Sequence, residues 1–81
     1  MDIEALKRVS EVRRMLASGE AAQVREGLCV SIREVAGAMG ADPGTVSRWF
    51  AGQTQPRTGA ALQLAEFLGI ASANHIPEKA A

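Results

Sequence analysis

Residues 31–51 read SIREVAGAMGADPGTVSRWFA, and this stretch decides the fold. Ser31 followed three residues later by Glu34 makes a capping box, in which each side chain satisfies a free backbone N–H at the other position. Ile32, Val35, Ala36 and Met39 then recur at three- and four-residue steps, the period of one helix face. Gly40 follows where a left-handed residue closes a helix. Asp42-Pro43 opens a second helix. Aspartate is a strong N-cap, and proline at the first helical position has a preset φ and no N–H to satisfy. Val46, Trp49 and Phe50 are the apolar members of this second helix.

Two short helices joined at a tight corner make specific demands. In a helix-turn-helix the axes cross at about 90–120°, so the first helix must offer a small residue at the contact. Ala36 does so. The turn needs a conformation that glycine adopts without penalty, and Gly40 stands four residues after Ala36. The second helix must place a branched apolar residue between the two, and Val46 follows Gly40 by six. The pattern Ala-x3-Gly-x5-Val, with Val35, Met39 and Trp49 around it, meets all three requirements. Trp49 reads as core.

Outward from the corner, the pattern stays helical. Residues 2–17 form an amphipathic helix with Ile3, Leu6, Val9, Val12 and Leu16 on one face and Glu4, Lys7, Arg8, Glu11 and Arg14 between them. This stripe is expected to pack on the rest of the chain. Arg13 and Arg14 read as a solvated face. Ser18-Gly19 ends the helix, with Ser18 placed to cap the next one. Residues 20–28 make a shorter helix with Val24 and Leu28 four apart. A polar loop over residues 52–56 precedes a last helix at about residues 58–68, with Ala61, Leu64, Ala65 and Leu68 facing inward, and Gly69 stops it. Phe67 and Ile70 fall off that inward stripe and are candidates for a two-fold surface. Residues 71–81 have no periodicity and read as a loose tail, in which His75 has no role. The expectation is an all-α, compact bundle of about five helices: one helix-turn-helix domain over residues 1–70, with an additional N-terminal helix.

Composition narrows the function. The chain has 81 residues, 47% hydrophobic, enough for one modest core that dimerisation would help to stabilise. Cys29 is the lone cysteine, and no Cys/His cluster offers a metal site. No apolar run reaches the roughly 20 residues of a membrane span, and charges stand where a signal peptide is apolar. A reducing, cytoplasmic setting is expected, without membrane association. No carboxylate pair, nucleophile with base, or phosphate-cradling glycine loop suggests an enzyme, a cofactor or a small-molecule substrate. The formal net charge is zero. It is unevenly spread, since between residues 43 and 65 the only charged side chains are Arg48 and Arg57.

The segment VREGLCVSIREVAGAMGADPGTVSRWFAGQTQP, followed by GAALQLAEFLGI, resembles the lambda-repressor/Cro-like (XRE) family over about residues 20–70. The resemblance implies a sequence-specific regulator of transcription, a repressor of the phage or host type, acting as a homodimer on a double-stranded DNA operator. The helix at residues 43–51 would be the recognition helix, its N-terminal half in the major groove. Base-reading positions fall on Pro43, Gly44, Ser47 and Arg48, with Thr45 nearby. Arg48 is the best of them, because a guanidinium takes guanine O6 and N7 together. Phosphate contacts map to Ser31 and Ile32 through backbone N–H groups. Gln53, Thr54, Gln55 and Arg57 add others, and Arg33 is within reach. The same fold also serves as a protein-interaction module without DNA binding, or as an antitoxin neutralising a partner toxin.

Several positions depart from the family pattern. Pro43 and Gly44 stand where relatives often carry long polar readers, and Gln53 and Gln55 where lysine is common. Cys29 occupies a frequent turn glycine. Phe50 stands where a glutamate often pairs with an arginine that corresponds to Arg25. Stacking of Arg25 on Phe50, pairing with another acid, and contact with the DNA backbone all remain open from sequence.

Overall fold

Five helices succeed one another in the computed structural model, which describes residues 2–69: α1 (Ile3–Ser18), α2 (Glu20–Gly27), α3 (Ile32–Met39), α4 (Pro43–Phe50) and α5 (Thr58–Leu68). Ile70, His75 and the predicted tail lie outside the described residues. Each start has a local cause. Asp2 caps α1 by accepting from the Ala5 amide at 2.7 Å. In α3 the capping box closes both ways: the Ser31 hydroxyl accepts from the Glu34 amide at 3.1 Å, and the Glu34 carboxylate accepts from the Ser31 amide at 2.8 Å. These contacts hold the Glu34 carboxyl below its ordinary pKa of 4.5. Asp42 caps α4 by accepting from the Thr45 amide at 3.1 Å. The N-cap of α2 is Gly19, not Ser18. Ser18 is the last residue of α1, and its hydroxyl accepts from the Glu20 amide at 3.3 Å.

The ends of α2, α3 and α4 share one device. In each, two successive amides fold back onto carbonyls three and five residues earlier, around a single left-handed residue. That residue is Gly40 (φ 67°) after α3 and Gly52 (φ 78°) after α4. After α2 it is Cys29 (φ 58°), with the Cys29 amide on the Glu26 carbonyl at 3.0 Å and the Val30 amide on the Arg25 carbonyl at 3.2 Å.

Helix α1 lies across the others, packing on α5, α2 and α4, while α3 packs on α4. Val9, Val12, Met15 and Leu16 of α1 meet Ala21, Val35, Ala36, Val46, Trp49, Phe50, Ala61, Leu64 and Ala65 in one buried cluster. The predicted α1 stripe is therefore only partly right. Ile3 and Leu6 stay 63% and 49% exposed, and Met15 takes a place in the core. A 16-residue helix is about 24 Å long and its partners have 8 to 11 residues, so its first turns extend past what they cover. In α2 the buried residue is Ala21, with Val24 half-buried and Leu28, beyond the helix end, exposed. Phe67 is half-buried. With Val30, Val35, Ala38 and Met39 it lines a groove between α3 and α5 of about 450 Å³, edged by Glu34, Gln63 and Glu66. Among the described residues there is no strand, no helix long and apolar enough to cross a membrane, and no cluster of metal-ligating side chains.

Two stability effects are expected from these caps. An L-residue in the left-handed region costs roughly 1–2 kcal/mol, and glycine's extra chain entropy offsets part of any gain from removing it. Cys29→Gly is expected to raise the unfolding free energy by about 1 kcal/mol, seen as a higher urea midpoint at unchanged slope; an unchanged or lower midpoint contradicts this account. The second concerns Glu34. Its folded pKa is depressed, so its stabilising share is present above the unfolded value and is lost as pH falls through the folded one. Glu34→Gln, which keeps the acceptor, is expected to melt below the wild type near neutral pH. The gap should narrow as pH drops below 4.5; a gap that stays constant on acidification argues against it.

Candidate nucleic-acid interface

The corner between α3 and α4 is set by burial. Ala36 is 1% exposed and Val46 is fully buried, so each of the two packed helices commits a small or branched apolar side chain to the common core. Trp49 and Phe50 face the same way, each 7% exposed, and Trp49 is core as expected. The other side of α4 is left bare. Pro43, Gly44, Ser47 and Arg48 are exposed, and Thr45 is half-buried.

The loop after α4 is fixed in place. The Gly52 amide donates to the Trp49 carbonyl and the Gln53 amide to the Arg48 carbonyl, both at 3.0 Å. Gly52 sits on the end of α1, where an added Cβ would lie 3.5 Å from the Leu16 carbonyl oxygen and 3.6 Å from Ala17. The Arg13 guanidinium of α1 donates to the carbonyl of buried Pro56 at 3.3 Å. This fastening displays Gln53, Thr54, Gln55 and Arg57, all exposed. Thr45, Arg48, Thr54, Gln55 and Arg57 come together around one open depression of about 410 Å³, with Trp49 and Ala60 in its wall. Ser31, Ile32, Arg33, Pro43, Gly44, Ser47 and Gln53 are not among its lining residues. Ser31 and Arg33 are exposed at the start of α3, and Ile32 is half-buried against the core. The Ser31 amide is already taken by Glu34. Of the two backbone donors expected there, only that of Ile32 has no partner among the described residues.

Arg13, expected on a solvated face, is half-buried beneath the loop instead. The signal for this was not local, because its partner lies 43 residues away. Arg14 does lie on the solvated face. It meets Glu11 and Glu20 at 2.6 Å each, which keeps it firmly protonated and lowers the Glu11 pKa. The choice left open for Arg25 resolves to the aromatic ring. Its guanidinium lies 5.4 Å from the Phe50 centroid and donates to the Val30 carbonyl at 2.8 Å. Its only acid within reach among the described residues is Glu26, at 3.9 Å. Phe50 thus replaces a carboxylate with a ring face, and Arg25 ties α2, the α2–α3 linker and α4 together.

These arrangements sort the charge. Among the described residues Arg33, Arg48 and Arg57 are exposed and enter no ion pair. The acids nearest the corner, Glu34 and Asp42, are engaged in helix caps.

A family model described as a helix-turn-helix domain matches residues 18–76. The match takes in α2 through α5 and leaves α1 outside, apart from its last residue. No curated protein and no solved structure matches the chain.

Arg13→Ala is expected to loosen the loop before the fold. The Gln53 amide should exchange its hydrogen faster while the amides of α1 remain protected, with a stability loss of about 1 kcal/mol. Unchanged exchange at Gln53 argues against the fastening.

Proposed function

The chain belongs to the helix-turn-helix domain family, of the lambda-repressor/Cro-like type, and on that footing we propose that it is a sequence-specific, double-stranded DNA-binding regulator of transcription. In this reading the exposed edge of α4 enters the major groove. Arg48 reads guanine, Thr45 and Ser47 bond base edges, and Pro43 and Gly44 bring the helix backbone close to the groove floor. The duplex backbone is held by the Ile32 amide at the start of α3, by Ser31 and Arg33 beside it, and by Gln53, Thr54, Gln55 and Arg57. The observation that carries the reading is the open depression that gathers Thr45, Arg48, Thr54, Gln55 and Arg57. Side chains from α4, the following loop and the start of α5 converge there, and among the described residues nothing closes the depression over.

A homodimer on a palindromic operator fits this reading. It would place two copies of α4 about 34–36 Å apart, one helical turn of DNA. Among the described residues this reading assigns two cations, Arg33 and Arg57, to phosphate, so affinity should fall gently with salt, with a log–log slope of about −2 per protomer. A protein-interaction role, including that of an antitoxin, is the second reading. It is favoured by the α3–α5 groove with its Phe67 and Met39 walls and acidic edge.

Mobility shift against duplexes selected from a random pool tests the proposal. The wild type should retard selected duplexes at low salt. Arg48→Ala should weaken selected sequences by about 5- to 150-fold while leaving unrelated duplexes nearly unchanged. Arg57→Ala should weaken all duplexes alike and reduce the salt slope by about 1. No retardation of any duplex at low salt, with folded protein in excess, sinks the proposal and favours the second reading.

A further inference from the structure

Gly44 is the residue in α4 that the DNA-binding reading leaves without a side chain to use, and the structure gives its bareness a purpose. Helical side chains lean toward the N-terminus, so a residue at i+4 lies back over the one at i. Arg48 stands four residues after Gly44 and three after Thr45. Its guanidinium reaches back over the first turn of α4, where one nitrogen donates to the Thr45 hydroxyl at 3.3 Å. A Cβ added to Gly44 would lie 3.7 Å from another nitrogen of the same guanidinium and 2.9 Å from a carboxylate oxygen of Asp42. That oxygen is the one that accepts from the Thr45 amide and caps the helix. Arg48 therefore runs alongside the space that a side chain at position 44 would fill, with the Asp42 carboxylate on the other side of it.

We infer that Gly44 determines base specificity by leaving that space open, so that Arg48, steadied by the Thr45 hydroxyl, becomes the reader at the leading end of α4. The inference rests on the DNA-binding reading above. Toward that guanine Gly44 and Thr45 act through Arg48 and are positioning residues, beside the contacts that α4 makes through Thr45 itself. The base class follows from the fork: a planar pair of donors fits the O6 and N7 acceptors of guanine in the major groove and no other single base edge equally well. The charge environment fits as well. The Asp42 carboxylate is committed to the Thr45 amide and forms no ion pair with Arg48, which leaves the guanidinium's charge for the base edge. A methyl at position 44 would crowd the Asp42 carboxylate at 2.9 Å, while its 3.7 Å from the guanidinium is ordinary contact; a longer side chain there would take the space along which Arg48 lies. The Pro43-Gly44 pair then ceases to be a deficit in readout, because the reader comes from one turn further along.

The test compares wild type, Gly44→Leu, Thr45→Val and Arg48→Ala on three duplexes. These are the best selected sequence, the same sequence with its Arg48-dependent guanine replaced, and an unrelated sequence. Wild type should discriminate the first from the second by about tenfold or more. Arg48→Ala should abolish that ratio. Gly44→Leu and Thr45→Val should cut it to about threefold or less, whatever they do to overall affinity. A merely structural effect would instead lower the melting temperature and weaken all three duplexes by the same factor, leaving the ratio at its wild-type value, and that result overturns the inference. So does full discrimination in Gly44→Leu when Arg48→Ala has lost it, an outcome that leaves the DNA-binding reading standing. A wild type that binds none of the duplexes at low salt removes that reading itself, and the inference with it.

Discussion

An eight-residue helix makes too few backbone hydrogen bonds to persist in water, so α3 and α4, each of that length, exist only because their inner faces are buried. Val46 carries most of that dependence. It is fully buried, in the same core cluster as Ala36, and the side of α4 that holds it also holds Trp49 and Phe50. Once those three point inward, the period of the helix leaves Gly44, Ser47 and Arg48 no choice but to point outward. The exposed edge is thus fixed by the buried one. Truncating Val46 would cost stability and would also free the angle at which Arg48 is shown.

Neutrality of the whole chain hides a sorted surface. Arg14 is balanced by Glu11 and Glu20 on one side of α1, and Arg25 is taken up by Phe50 and the Val30 carbonyl. Glu34 and Asp42 sit at the starts of α3 and α4, where helix dipoles favour negative charge and backbone amides occupy their oxygens. Around the corner this leaves three arginines, unpaired among the described residues. Such a surface attracts polyanions weakly at long range. Any preference it has must come from short contacts of defined geometry, which makes the posture of Arg48 matter more than the charge it carries.

Much of this was legible in the sequence because it is encoded locally. The caps at Ser31 and Asp42, the left-handed stops at Gly40 and Gly69, and the Ala36–Gly40–Val46 spacing each follow from backbone hydrogen bonding within a few residues. At Cys29 the sequence showed only a departure from a frequent turn glycine, and the left-handed backbone there is a finding of the structure. The misses have a different origin. Ile3 and Leu6 share the helical period of Val9 and Val12, and periodicity says nothing about where the neighbouring helices stop. Arg13 looks like its neighbour Arg14 until the loop 43 residues later is folded over it. Arg25 had three plausible partners, and only the assembled α2–α4 contact selects the ring. The role of Gly44 was invisible because it depends on the direction in which Arg48 leans, a three-dimensional fact carried by no single position.

The helix outside the family match is the one on which the interface leans most heavily in energetic terms. The match begins at residue 18, yet Val9, Val12, Met15 and Leu16 of α1 supply the surface against which α4 and α5 bury theirs. Burying a side chain of this size is worth about 1.5–3 kcal/mol, so these four contribute roughly as much as the entire net stability of a domain this small, about 5–15 kcal/mol. The same helix seats Gly52 on its last turn and holds the Pro56 carbonyl with Arg13. The corner between α3 and α4 and the loop after α4 are therefore held in register by a common support. A change in the packing of α1 moves both together, and the depression between them keeps its shape only as long as α1 keeps its place.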